Sequence, residues 1–244
     1  MDMERLIYII ILLYFILGAI GFYFINRKKE PAVAKKSYIK LVTYFFIINI
    51  LFFSITIQPF VFHLLTIIII GVACLELNLL FIKSNSEHLS FFIVSIAVFV
   101  VFALCFLHFS FLKKELTLFT FLILSIFDSF SQITGQLWGR TKILPKVSPN
   151  KTLGGLVGGT IVSIISAFLL KDLFVGSMAG LFIFTFGTLL FAFAGDTLSS
   201  LFKRKYKVKD FNNIIPGHGG FLDRFDSLIA GGAWAALYFQ FIAP

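Results

Sequence analysis

Long apolar runs separated by short polar stretches dominate this chain. Eight of them stand out, at approximately residues 6–25, 41–57, 60–82, 89–112, 116–138, 153–170, 173–194 and 227–243. Each approaches the roughly 20 apolar residues that an α-helix needs to cross a hydrocarbon core. Their periodicity is weak, as expected of helices surrounded by lipid and by one another. The alternating ten-residue segments of a membrane β-barrel are absent. Only Gln58-Pro59 separates the second run from the third, which predicts a tight hairpin. The first run precedes basic residues and shows no small-residue cleavage site, so it reads as a retained helix and not a signal peptide. The expected fold is all-α, a polytopic integral membrane protein of about eight transmembrane helices.

Composition agrees. Hydrophobic residues make up 59% of the 244 and charged residues 14%, against about 45–50% and 25% in soluble domains. The net charge of +9 raises the question of nucleic acid, but its placement argues for a membrane. With eight spans, residues 26–40, 83–88, 139–152 and 203–226 share one side and carry 17 of the 21 Lys and Arg, leaving Arg5, Lys113, Lys114 and Lys171 opposite. The positive-inside rule makes the first side cytoplasmic and puts both termini outside. The basic residues then face anionic headgroups, and no nucleic-acid partner is expected. Cys74 and Cys105 lie inside spans and read as small buried hydrophobes.

Candidate chemistry concentrates after residue 115. Residues 1–115 read as N-terminal transmembrane helices. Residues 116–244 read as a catalytic region, because the polar residues of loops 139–152 and 203–226 continue into the adjoining helix ends. Asp128 lies within the fifth run beside Ser129, Ser131, Gln132, Thr134 and Gln136. An ionisable group at membrane depth is costly, so Asp128 is expected to face a polar cavity or a partner. Further on, Ser148-Pro149-Asn150-Lys151-Thr152 precedes a helix. Ser or Thr caps such a start, and the free N–H groups there favour an anion. Lys151 adds positive charge at the same end; the alternative is a capped helix with topological lysines. Gly154-Gly155 and Gly158-Gly159 read as helix-packing positions.

From Gly195-Asp196 the chain runs through "TLSSLFKRKYKVKDFNNIIPGHGGFLDRFDS". Asp196, Asp210, Asp223 and Asp226 there stand against Lys203, Arg204, Lys205, Lys207, Lys209 and Arg224. Asp223 and Asp226, spaced i, i+3, share one face if the last helix begins near them. Asp196 can join them. Hard oxygen ligands of this kind suit Mg²⁺, which takes one or two carboxylates plus substrate phosphates. The cations would neutralise those phosphates; a solvated charged loop is the alternative. His218, between Gly217 and Gly219, reads as a substrate-binding or structural group ahead of a proton-transfer group. His63, His88 and His108 have no zinc-type spacing. Neither a nucleophile elbow nor a complete phosphate loop appears. These absences fit phosphoryl or nucleotidyl transfer. An attacking phosphate is already anionic, so its site needs alignment and charge neutralisation more than a base.

The stretch from Ser200 through Lys203-Arg204, Lys209-Asp210 and "PGHGGFLDRFD" resembles the signature of the phosphatidate cytidylyltransferases, or CDP-diacylglycerol synthases. "SPNKTLGGLVGG" resembles the Ser-Pro-x-Lys-Thr-x-Glu-Gly-x-x-Gly-Gly element of that family, and Gly195-Asp196 sits where the family has Gly-Asp. The resemblance covers about residues 128–226. It implies condensation of CTP with phosphatidic acid, with release of pyrophosphate, by a polytopic and usually dimeric enzyme. A polar cavity would open to the cytoplasm and the lipid. It also implies Mg²⁺, expected at two sites held by Asp196, Asp223 and Asp226, with Lys203 and Arg204 as catalytic cations. Ser148, Lys151, Thr152, Lys209, Asp210, His218, Gly219, Gly220, Arg224 and Asp128 would line the substrate site. Three departures stand out: Gly155 is read in place of the Glu of the Lys-Thr-x-Glu-Gly element, Ser199 in place of an acidic residue, and Asn212 in place of a small one.

The expected activity is therefore phosphatidate cytidylyl transfer at the bacterial inner membrane or its equivalent, with the site loops cytoplasmic. A CTP-dependent polyprenol or phytol kinase and a CDP-archaeol type of synthase are the nearest enzymatic alternatives. A lipid transporter or a non-catalytic membrane partner is the alternative of another class.

Overall fold

A computed structural model describes residues 3–27, 30–85, 87–215 and 219–242. The described residues form eight α-helices: α1 (Met3–Asn26), α2 (Pro31–Ile57), α3 (Pro59–Lys83), α4 (Leu89–Phe109), α5 (Lys114–Trp138), α6 (Leu153–Leu169), α7 (Met178–Lys205) and α8 (Leu222–Phe241). A two-stranded antiparallel hairpin, β1 (Lys142–Leu144) and β2 (Ser148–Thr152), joins α5 to α6. The all-α polytopic architecture is as expected; the hairpin is an addition that no apolar pattern announced. Six helices (α1 to α5 and α7) are long and apolar enough to cross a membrane. Helix α6 has only 17 residues, and α8 is diluted by Asp223, Arg224 and Asp226 and by a run of small residues.

Several helices outrun the apolar runs that predicted them, although α4 stops at Phe109, short of 112, and α7 starts only at Met178. Helix α2 begins at Pro31 and not near 41, α7 ends at Lys205 and not near 194, and α8 begins at Leu222 and not at 227. Hydropathy marks where a helix touches lipid, whereas an established helix continues cheaply through Lys, Arg, Leu and Glu. Lys203, Arg204, Asp223 and Asp226 are consequently helical, and the loop between them contracts to residues 206–221. The hairpin at Gln58 is as expected. Gln58 is extended (φ −153°, ψ 139°) between the end of α2 and Pro59 at the first position of α3. A residue before proline avoids the helical region, and proline suits the first helical turn.

Helix α8 runs through the middle, packed on α3, α4, α5 and α7. Small residues make this possible. A Cβ at Gly232 would meet the Phe106 and Phe109 rings at 2.7 and 2.8 Å, and one at Gly231 would meet Leu124 at 2.8 Å. Trp234 donates from Nε1 to the Phe184 carbonyl at 2.9 Å. Between α5 and α6 the backbones close up as the glycine pairs predicted. A Cβ at Gly155 would lie 2.7 Å from the Ser131 carbonyl, and one at Gly158 would lie 2.5 Å from Thr134 Oγ1. Few residues of α1 and α4 are buried, as suits helices that turn one face to acyl chains.

Candidate active site

The site forms where α5, α7 and α8 meet at their polar ends. A Cβ at Gly195 would collide with Ala230 Cβ at 2.5 Å and with the Asp226 carbonyl at 2.7 Å. Glycine thus lets α7 and α8 touch backbone to backbone where Asp196 and Asp226 emerge. Asp128, from α5, lies within electrostatic reach of both acids and of Arg224 and Lys151. Lys151, at the end of β2, pairs with Asp196 at 3.0 Å and donates to Thr197 Oγ1 at 2.9 Å. Its ammonium also sits 4.5 Å from the centre of the Phe193 ring. Asp196 and Asp226 are half-buried, while Asp128 and Arg224 are exposed. The arrangement is a mixed-charge mouth with three acids, a tethered lysine and an exposed arginine.

Asp223 belongs to an adjoining, drier cluster. It is buried and forms an ion pair with Lys203, itself buried. Its Oδ2 accepts from the N–H groups of Phe211 at 3.0 Å and Gly220 at 2.7 Å. Two glycines permit this. Gly219 has φ +85°, and a Cβ there would meet Asp223 Oδ2 at 2.9 Å. A Cβ at Gly220 would lie 3.0 Å from both Asp223 Oδ2 and Glu76 Oε1. Asp223 and Asp226 therefore start the same helix but serve different surroundings. Pro216, Gly217 and His218 lie outside the described residues, and with them the expected role of His218.

The remaining expected residues frame these clusters. Thr152 caps α6, its Oγ1 accepting the Gly155 N–H at 3.1 Å. Ser148 opens β2, opposite Leu144. Arg204 turns away from Lys203 and donates to the carbonyls of Val147 at 3.0 Å and Val208 at 2.8 Å. It thereby stitches the end of α7 to the hairpin and to its own following loop. Lys209 and Asp210 are exposed on that loop.

The three departures acquire physical surroundings. By its spacing from Thr152, the glycine in place of Glu is Gly154, not its neighbour Gly155. A Cβ there would meet the Trp138 carbonyl at 2.8 Å, so the end of α5 occupies the space a side chain needs. Ser199 is buried beside Asp226. Asn212 donates from its Nδ2 to Glu76 and accepts the Ile214 N–H at 2.8 Å.

Glu76 went unnoticed in the sequence, as did Tyr44, which reaches Ser129 and stands near Asp128 and Arg224. A signal was available for Glu76. It is the lone acid in the run at 60–82, and the burial cost that singled out Asp128 applies equally to it.

The donor set suits a hard cation in part. Among the described residues, no three His, Cys, Asp or Glu side chains gather as a metal cage. An ion that takes one or two carboxylates and completes its shell with phosphate and water needs none. Asp196 and Asp226, half-buried and open to the mouth, fit that requirement. Asp223 has both oxygens engaged and would have to exchange Lys203 for an ion.

An apolar groove of about 210 Å³ adjoins the acids. Phe91, Val98 and Phe102 of α4 face Leu198 and Phe202 of α7 across it, and Ser199 and Asp226 also line it.

Residues 3–242 match the family described as the cytidylyltransferase family. The phosphatidate cytidylyltransferase of Rickettsia prowazekii is 30% identical over 217 residues, covering 84% of this chain and 94% of that protein. Its counterpart from Rickettsia bellii is 40% identical over 126 residues, 48% of this chain and 54% of the relative. For that of Haemophilus influenzae the values are 36% over 133 residues, 52% and 46%. The chain thus matches about half the length of the last two and nearly all of the first.

Proposed function

Because this chain belongs to the cytidylyltransferase family, we propose that it transfers a cytidylyl group from CTP to phosphatidate. Pyrophosphate leaves, and CDP-diacylglycerol stays in the membrane. The observation that carries this reading is the meeting of Lys151, Asp196, Arg224 and Asp226 beside an apolar groove. Phosphate-binding charge and lipid-binding surface come together in one place.

In this reading a phosphatidate oxygen attacks the α-phosphorus of CTP in line. A P–O bond forms there while the bond to the bridging oxygen breaks, and that oxygen leaves with the electron pair on pyrophosphate. No base is needed, since the nucleophile is already anionic. Lys151 and Arg224 hold the phosphates and offset their charge, and preorganised charge of this kind is where most of the rate enhancement arises. Arg204 and Lys209 form the outer rim. Asp196 and Asp226 would hold Mg²⁺, and Asp223 a second ion once Lys203 lets go. A bound divalent ion neutralises charge developing on the leaving group. Residues 116–244 thus supply the reacting groups.

The groove beside Asp226 suits the acyl chains of the acceptor. Val98→Trp should lower turnover of dioleoyl phosphatidate about tenfold and leave a short-chain phosphatidate nearly unaffected. Equal loss on both lipids would remove the groove from the acceptor's path.

The basic bias supports a site on the cytoplasmic side with both termini opposite, and the sparse burial of α1 is compatible with a second copy packing there in a homodimer. The test of the whole reading is incubation of the purified protein with phosphatidate, Mg²⁺ and CTP labelled at its α-phosphorus. Label in the lipid phase and free pyrophosphate are expected. With a prenol alcohol supplied in place of phosphatidate, release of CDP and formation of a lipid monophosphate without label would establish a kinase instead.

A further inference from the structure

A buried carboxylate on α3 accepts the backbone N–H groups at the start of α8. Glu76, on α3, is 3% exposed. Its Oε1 accepts the Phe221 N–H at 2.7 Å, and its Oε2 accepts the Leu222 N–H at 2.7 Å. Asn212 donates to it from the loop between α7 and α8. Among the described residues, Glu76 forms no ion pair. Its charge is met instead by two free N–H groups of a helix start and by an amide. Helix N-termini carry partial positive charge and unsatisfied donors, so a carboxylate there both caps and neutralises. A buried carboxylate without such partners would be prohibitively costly.

The consequence lies one residue further along. Glu76 and Asp223 grip the same turn together: Glu76 takes the N–H groups of Phe221 and Leu222, and Asp223 takes those of Gly220 and Phe211. Both carboxylates crowd Gly220, where a Cβ would stand 3.0 Å from each. The turn they hold leads directly into Asp223, Arg224 and Asp226. Asn212, which departs from the small residue of the resembling signature, is the side chain that extends this grip to the preceding loop.

We infer that Glu76 is a positioning residue for cytidylyl transfer, an acceptor on α3 that sets the register and tilt of the first turn of α8 and hence of Arg224 and Asp226. The inference rests on the cytidylyl-transfer reading for its kinetic consequence but not for its structural one. It also assigns a task to the N-terminal helices beyond anchoring, because α3 reaches into the site it does not chemically serve.

Two measurements on Glu76→Ala, Glu76→Gln and Asn212→Ser test it. The first is amide hydrogen exchange over residues 219–226 in the substrate-free protein, which needs no activity. Exchange at Phe221 and Leu222 should be slow in the wild type, fastest in Glu76→Ala and intermediate in Glu76→Gln, which keeps one acceptor oxygen. The second is steady-state kinetics. A displacement on the order of 1 Å in a reacting constellation costs up to about 100-fold. Turnover should therefore fall about 10- to 100-fold in Glu76→Ala, with a several-fold rise in KM for CTP and little change for phosphatidate. Asn212→Ser should shift both in the same direction by less. A mere loss of folded protein lowers turnover and leaves KM for CTP untouched. Unchanged exchange at Phe221 and Leu222, or unchanged KM for CTP in a folded Glu76→Ala or Glu76→Gln, would overturn the inference. A wild-type protein with slow exchange but no lipid label would overturn the reaction and leave the grip of Glu76 standing. Should Glu76→Ala not fold, Glu76→Gln carries both measurements.

Discussion

Asp226→Asn is expected to lower cytidylyl transfer by about 100- to 1,000-fold, the scale seen when one preorganised electrostatic group is removed from a transition state. The fold should survive. Asp226 is half-buried at the mouth, and its Oδ1 accepts the N–H of Ser227 at 2.8 Å, a bond that an asparagine oxygen can also accept. The change therefore removes charge while keeping shape and the local hydrogen bond. Lipid label from CTP measures the first effect, and thermal unfolding in detergent, shifted by less than about 1 kcal/mol, measures the second. Transfer at the wild-type rate would place the reacting phosphates elsewhere.

Asp223 should behave differently although it lies only three residues away. Asp223→Ala strands the buried Lys203 ammonium and leaves the N–H groups of Phe211 and Gly220 without their acceptor. Breaking a buried ion pair by removing one partner costs about 3–5 kcal/mol, so this variant should be strongly destabilised. Removing the orphaned charge as well, in Asp223→Ala with Lys203→Met, should recover part of that loss, because an apolar side chain is no longer penalised for lacking a partner. Thermal unfolding of the three proteins tests this. If Asp223→Ala unfolds where the wild type does and only activity falls, Asp223 serves substrate or metal and not the architecture.

The contrast between these two acids shows how far a sequence can be read. Their i, i+3 spacing implied a shared face if the last helix began near them, and α8 does begin at Leu222. The spacing could not say that one carboxylate would open to the mouth and the other be clasped by Lys203 and two backbone amides. That choice depends on where the loop at 206–221 returns. The lysine-arginine pair divides similarly: Lys203 points inward and Arg204 ties the hairpin down. Neighbours in sequence lie about 100° apart around a helix, so composition alone cannot assign them one role. Glu76 was legible by the same physical argument as Asp128, but its purpose was not. The 145 residues that separate it from Phe221 are bridged only by packing α3 against α8.

The amino-acid sequence by itself determined the membrane class, the approximate helices, the break at Gln58-Pro59 and the glycine positions of α6 at which another helix packs. Each of these follows from local terms: lipid transfer of apolar side chains, backbone restriction by proline, and the absence of a Cβ. It also carried the family resemblance through the order of its charged and glycine residues. Only the tertiary structure decided which charges meet. It brought Lys151 to Asp196 across 45 positions of chain, closed α7 on α8 at Gly195, and ran α3 close enough for Glu76 to cap the last helix. Electrostatic and hydrogen-bonding partners are set by distances of a few ångströms in space, and those distances exist only once the helices have packed.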